Sequence, residues 1–241
     1  MSLPRILARV EEPSEGRLVP LSAEQAAHLR ALRLKAGSAL ELLLPGGPWK
    51  ADLAELGREG AQVRLVAPLD EDREAPIPIE VFLPLTAQLS LVDDLLPPLV
   101  ELGATRIVPA VFTRSEHDPR KTLARMERWR RILAGAVEQS HRGLLPDLAE
   151  PAPFEALLAC RAPQKWVAYE EGTGHPNPVL RREPLALASG PEGGITEAEF
   201  AALRAAGWAP VRLGRAVLRA VTAPVALLGA VQFTLGDAPG P

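Results

Sequence analysis

The pattern of apolar residues changes character once along this chain, across residues 68–78, and a fold must accommodate both halves. That segment, Pro-Leu-Asp-Glu-Asp-Arg-Glu-Ala-Pro-Ile-Pro, combines five charges with three prolines. It reads as a linker, because the prolines remove backbone donors and so many charges cannot enter a core. The chain is therefore divided into residues 1–70 and 71–241.

Ahead of the linker the apolar runs are short. Arg5–Val10, Arg17–Leu21, Ala39–Leu44, Trp49–Leu56 and Ala61–Val66 have strand character, and Pro45-Gly46-Gly47-Pro48 supplies a turn. Ser22 with Gln25 forms a capping-box pattern that opens a helix carrying Ala26, Leu29 and Leu32. A small β-rich unit is the expectation. Beyond the linker, continuous apolar runs at Ile79–Leu85, Arg106–Phe112, Lys165–Tyr169, Leu185–Ser189 and Val211–Leu213 alternate with helical periods at Leu91–Ala104, Thr122–His141, Thr196–Ala206 and Thr222–Leu235. Strands alternating with helices predict an α/β domain whose mostly parallel sheet is covered on both faces. Pro97-Pro98 should kink the first of these helices or delay its start.

Composition narrows the setting. Cys160 is the single cysteine, so no intrachain disulfide can form and a reducing cytoplasm is expected. The N-terminus shows no leader pattern. The most apolar stretch, Ala220–Leu235, falls short of the roughly 20 residues a membrane span requires, so a soluble protein is expected. The net charge of −3 does not advertise a nucleic-acid binder, but residues 114–142 hold eight Arg or Lys against four Asp or Glu. A local basic patch of that kind suits RNA, and equally a solvated helix face.

The strongest local signal for chemistry is Leu187-Ala-Ser-Gly-Pro-Glu-Gly-Gly-Ile-Thr196, an apolar strand that runs through Gly190, Pro191, Glu192, Gly193 and Gly194 into a helix capped by Thr196 and Glu199. Glycines at a strand-to-helix turn let backbone amides approach a ligand closely. The spacing matches neither a P-loop nor a dinucleotide fingerprint, and no zinc-ligand or acyl-transfer signature occurs. Two further segments accompany it: Leu213-Gly-Arg-Ala-Val-Leu-Arg219, and Glu138-Gln-Ser-His-Arg142 at the end of the long helix.

With Pro4-Arg5, His28, Leu32-Arg33-Leu34, Glu101-Leu-Gly103, Thr113-Arg-Ser-Glu116 and Thr222-Ala223, these segments occur in an order and spacing that resembles the RsmE-type methyltransferases, which methylate N3 of a uridine in small-subunit (16S) ribosomal RNA. The resemblance runs nearly end to end. It implies a PUA-like RNA-binding domain followed by a SPOUT domain with a trefoil knot, an exception to the rule that chains do not thread loops. It further implies S-adenosyl-L-methionine as cofactor, 16S RNA or the small subunit as partner, and a homodimer.

Carried onto this chain, the cofactor would lie among Leu85, Thr86, Gly190, Pro191, Glu192, Gly193, Gly194, Leu213, Gly214, Val217, Leu218 and Thr222. Arg219, which follows the cofactor loop directly, is the expected stabiliser of the uracil anion, and either Glu192 or solvent is expected to take the proton. Arg5, Arg33, Arg114, Glu138 and Arg142 would hold the RNA. His28 is expected to be structural, and no role is carried onto His141. The chain departs from the family pattern in its last motif, where Ala220 and Val221 stand for a threonine and a glutamate, and at Leu91, where the family has a lysine. An RNA-binding assembly factor of the same fold that has lost the chemistry therefore remains an alternative, as does a knotted methyltransferase with another RNA target.

Overall fold

A computed structural model describes residues 3–70, 73–169 and 177–235. The chain forms two compact units. The first comprises residues 1–74 together with 137–144, the second residues 75–136 and 145–241. The sequence division at 70/71 thus falls a few residues before the boundary between the units, beside residues 71 and 72, which lie outside the described residues.

The first unit is a five-stranded mixed sheet in the order β1-β3-β4-β5-β2, made of β1 (Arg5–Leu7), β2 (Leu18–Leu21), β3 (Ala39–Leu44), β4 (Gly47–Leu56) and β5 (Ala61–Pro68). Only β1 pairs in parallel, with β3; the other pairings are antiparallel. Helix α1 (Ala23–Ala31) starts at the expected capping box, where the Ser22 hydroxyl accepts from the Gln25 amide and the Gln25 side chain accepts from the Ser22 amide. Strict alternation on β5 buries Ala61, Val63 and Leu65 against Leu29, Leu40, Leu42 and Leu53. Each such fully buried leucine contributes on the order of 1.5–3 kcal/mol.

The second unit carries an all-parallel sheet in the order β12-β10-β11-β6-β7-β8, with β9 also on β7. Its strands are β6 (Ile79–Pro84), β7 (Arg106–Val111), β8 (Asp147–Leu148), β9 (Ala152–Pro153), β10 (Gln164–Ala168), β11 (Leu185–Ala188) and β12 (Ala209–Val211). Helices α2 (Leu89–Glu101), α3 (Pro119–Ser140), α4 (Glu155–Leu158), α5 (Glu197–Ala205) and α6 (Ala223–Leu235) lie between and after them. Every residue of β11 is buried, as expected of a strand covered on both faces. The short β8, β9 and α4 carry no pattern long enough to read from sequence.

Pro97 and Pro98 neither delay nor end α2, which begins at Leu89 and runs through both to Glu101. A strongly apolar face with Val92, Leu95, Leu96, Leu99 and Val100 buried outweighs the two missing donors. The final strands set up the site. From β11 the chain passes through α5 and crosses β10 to reach β12, then returns through residues 212–222 to α6, which packs on β10, β11 and α2. Gln232 secures that return, its Nε2 donating to the Leu102 carbonyl at 2.7 Å.

Candidate active site

The C-terminal ends of β10, β11 and β12 open into a cleft of about 680 Å³ within the second unit. Its walls are the Gly190–Gly194 turn with Ile195, the segment Val211–Val221, Ala168 and Tyr169 at the end of β10, and Gln88 and Leu91 at the start of α2. Ligands of open parallel sheets bind in this position, beyond the strand carboxyl ends.

The Gly190–Gly194 turn is shaped by what its glycines lack. A Cβ on Gly190 would lie 2.7 Å from Ile195 Cγ1, and Gly194 has φ +75°, a conformation that favours glycine. The Gly194 amide closes the turn on the Pro191 carbonyl at 2.8 Å. Glu199 holds the chain beyond the turn in place. Its carboxylate accepts from the Thr196 amide at 2.9 Å and hydroxyl at 2.8 Å, completing the cap of α5, and from the Thr113 amide at 2.7 Å. Burial works to raise the pKa of this carboxyl, but these donors from Thr113 and Thr196 outweigh it and hold the value below the ordinary one.

The opposite wall is held by pairings of a similar kind. Asn177 donates from Nδ2 to the Arg212 carbonyl at 3.1 Å and accepts the Arg212 amide at 2.9 Å. Arg212 Nε in turn donates to the Gly214 carbonyl at 2.9 Å. Tyr169 stacks on Phe200 with ring centroids 3.8 Å apart. Arg212, Arg215 and Arg219 give the cleft its positive character, and Glu192 is the one carboxylate among the described lining residues. Such a site favours a ligand or transition state that carries negative charge.

Of the residues singled out from sequence, the structure brings Gly190, Pro191, Glu192, Gly194, Leu213, Gly214, Val217, Leu218 and Arg219 together in this cleft. Four others expected there are not on its walls. Leu85 is fully buried with its amide on the Ala110 carbonyl, and Thr86 is buried with its hydroxyl on the Gln88 carbonyl. Gly193 faces Arg114, and Thr222 lies in the turn just before α6, its amide on the Arg219 carbonyl. From the Leu85-Thr86 segment, Gln88 and Leu91 line the cleft instead.

The charged residues expected to meet RNA separate in the same way. In the first unit the Arg5 side chain is 0% exposed, bonded to Glu41 at 2.6 and 2.8 Å and to the His141 and Arg142 carbonyls. Arg142 is buried against Glu74. Glu138 accepts the Leu7 amide at 2.9 Å; burial raises its pKa against that hydrogen bond and the His28 charge. These three hold the interior of the unit together. Arg33 is exposed with φ 59°, and Arg114 donates to the Gly193 carbonyl at 2.8 Å. Sequence reading missed Tyr169, Arg212 and Gln88, and gave Arg215 no role of its own within the Leu213–Arg219 segment; the rule that ligands sit beyond parallel strand ends would have flagged Tyr169 and Arg212.

Residues 73–232 match the family described as RNA methyltransferase domain. The ribosomal RNA small subunit methyltransferase E of Synechocystis sp. is 34% identical over 227 residues, which cover 90% of this chain and 73% of that protein. Its Bacillus subtilis counterpart is 29% identical, covering 76% and 77%. Among solved structures, the methyltransferase E of Neisseria gonorrhoeae bound to S-adenosyl methionine superposes with a TM-score of 0.88 at 27% identity, covering 98% of this chain and 99% of that one. A methyltransferase from Legionella pneumophila with bound cofactor gives 0.86 at 26%, covering 97% and 98%. The α/β unit is therefore of the SPOUT class, preceded by a barrel-like domain, and the chain belongs to the RNA methyltransferase family of the ribosomal small subunit methyltransferase E type.

Proposed function

We propose that this protein transfers the methyl group of S-adenosyl-L-methionine to N3 of a uridine in small-subunit ribosomal RNA, acting in the cytoplasm as a homodimer. The observation that carries the reading is the cleft itself, in which a glycine turn and a loop with three arginines meet at the ends of parallel strands. Its volume lies within the range of small-molecule sites. The Ser189 hydroxyl, 1% exposed at the strand end leading into the turn, has no hydrogen-bond partner among the described residues. A buried polar atom without a partner costs stability in the free protein.

Gly190, Pro191, Gly194, Leu213 and Leu218 would hold the cofactor by backbone and apolar contact. Bound S-adenosylmethionine supplies an electrophilic methyl group. The remaining chemistry falls to this chain. Methylation at N3 displaces the ring N–H proton, so the uracil carries negative charge from the loss of that proton until the bond to the methyl group forms. Arg219 stabilises that charge, and positioning against the cleft wall contributes the rest. Glu192 takes up the displaced proton, since Val221 offers no carboxylate. The homodimer rests on α6, whose sequence is apolar on nearly every side and whose Phe233 is 90% exposed; sedimentation showing only monomer at micromolar concentration would remove it.

A second reading, an RNA-binding assembly factor without turnover, is favoured by Val221 and Leu91, which both line the cleft with apolar groups. Purified protein with labelled S-adenosylmethionine and small-subunit particles lacking the modification separates the two. N3-methyluridine in the nucleoside digest supports the enzyme. Cofactor and RNA binding without transfer supports the assembly factor.

A further inference from the structure

We infer that one face of α3, formed by Lys121, Arg125, Arg128 and Arg131, is a docking surface for the RNA phosphate backbone. The inference rests on the proposed RNA substrate and adds where that substrate lands. Spacings of four, three and three residues align these side chains on one stripe about 15 Å long, at 1.5 Å per residue. The stripe turns away from the core side of the helix, where Met126, Trp129, Leu133 and Ala136 are buried. Lys121, Arg125 and Arg128 have side chains 78%, 34% and 57% exposed, and Arg131 is exposed.

A buried anchor shapes the centre of the stripe. Asp93 on α2, 8% exposed, accepts from Arg125 Nε at 3.1 Å and Nη2 at 2.7 Å, Arg128 Nε at 2.8 Å and Trp129 Nε1 at 2.8 Å. Arg125 and the indole alone would satisfy both of its oxygens. Arg128 brings a second guanidinium beside the first and leaves the cluster with a net positive charge. That crowding is unfavourable in the free protein, and a bound anion relieves it. The bonds to Asp93 use Arg125 Nε and Nη2 and Arg128 Nε, and leave Arg125 Nη1 and both Nη groups of Arg128 uninvolved. Anchored arginines offer a planar fork already held in place, which suits phosphate better than a mobile lysine.

The surrounding charge supports the assignment. Within Pro119–Arg131 six cations face one acid, Glu127, which lies 3.8 Å from Arg130 and one turn before Arg131, at the edge of the stripe. Asp118 approaches Lys121 at 3.9 Å, and Asp94 is exposed on α2. On a chain of net charge −3, a concentrated positive stripe determines where a polyanion is attracted.

The test compares Lys121→Glu/Arg131→Glu, which spares Asp93, with Arg161→Glu/Arg182→Glu, an equal charge change at exposed sites elsewhere. Binding of naked 16S ribosomal RNA to the full-length protein is measured across a potassium chloride series. For the stripe variant, RNA affinity should fall about tenfold or more, and the slope of log affinity against log salt should flatten by about two. Cofactor affinity and turnover at saturating RNA should stay within about twofold of the parent. Equal losses in both variants, or no loss in the first, would overturn the proposal. If the parent protein binds RNA but never transfers methyl, the activity reading fails while the same binding comparison still decides the surface.

Discussion

Arg114 Nη1 donates to the Gly193 carbonyl at 2.8 Å, and the Arg114 Cβ lies 2.8 Å from where a Cβ on Gly193 would sit. The Gly190–Gly194 turn is therefore pressed against the segment after β7 at a point where no side chain fits. Gly193→Ala should displace the turn and weaken S-adenosylmethionine binding about tenfold or more, read by calorimetry. Arg114→Ala removes only the hydrogen bond, worth about 1 kcal/mol, and should weaken binding by less. Equal effects would show that the arginine, not the close approach, holds the turn.

Arg219 is expected to act on the developing anion rather than on the cofactor. Arg219→Ala should lower kcat by on the order of 10²-fold or more with cofactor Kd little changed. A loss confined to cofactor affinity would place its role in binding instead.

The Asp93 and Glu199 carboxyls both sit below their ordinary pKa, because their hydrogen-bond donors outweigh the effect of burial. A depressed folded-state pKa contributes stability above the unfolded pKa near 4, and that contribution is lost as pH falls through the folded value. Thermal melts should therefore fall steeply below about pH 4. Asp93→Asn should cost about 2–4 kcal/mol at pH 7, with the difference from the parent shrinking in acid. A difference independent of pH would remove the charge from the explanation.

Ser189→Ala removes the buried hydroxyl that lacks a partner among the described residues. The cofactor-free protein should gain about 1 kcal/mol, read as a higher Tm. If the hydroxyl serves the ligand, cofactor affinity falls in the same variant; a gain in stability with unchanged affinity would assign it no part in binding.

Much of the second unit was legible because glycine and helix caps leave marks in sequence. Thr196 with Glu199 and the Gly190–Gly194 turn stand where their spacing put them. The order of the strands was not legible. A parallel strand buried on both faces reads as an apolar run wherever it lies, so nothing in Leu185–Ala188 declares that it sits between β10 and β6. Arg5 and Arg142 were misread for a related reason. A partner brought in by the fold leaves no mark in sequence: Arg5 finds Glu41 thirty-six residues away, and Arg142 finds Glu74 rather than the nearby Glu138. Tyr169 and Arg212 line the cleft through their positions at strand ends, and their residue types give no hint of it.

The first unit takes its last eight residues, 137–144, from beyond the middle of the chain. Glu138 receives the Leu7 amide, and the His141 and Arg142 carbonyls receive Arg5. During synthesis the opening sheet therefore leaves the ribosome with Arg5 already on Glu41, but with the Leu7 amide and Arg5 Nη1 awaiting acceptors from beyond the middle of the chain. A fragment ending near residue 74 would carry the same vacancies permanently, so separating the two halves for study requires residues 137–144 to be supplied in trans or grafted on.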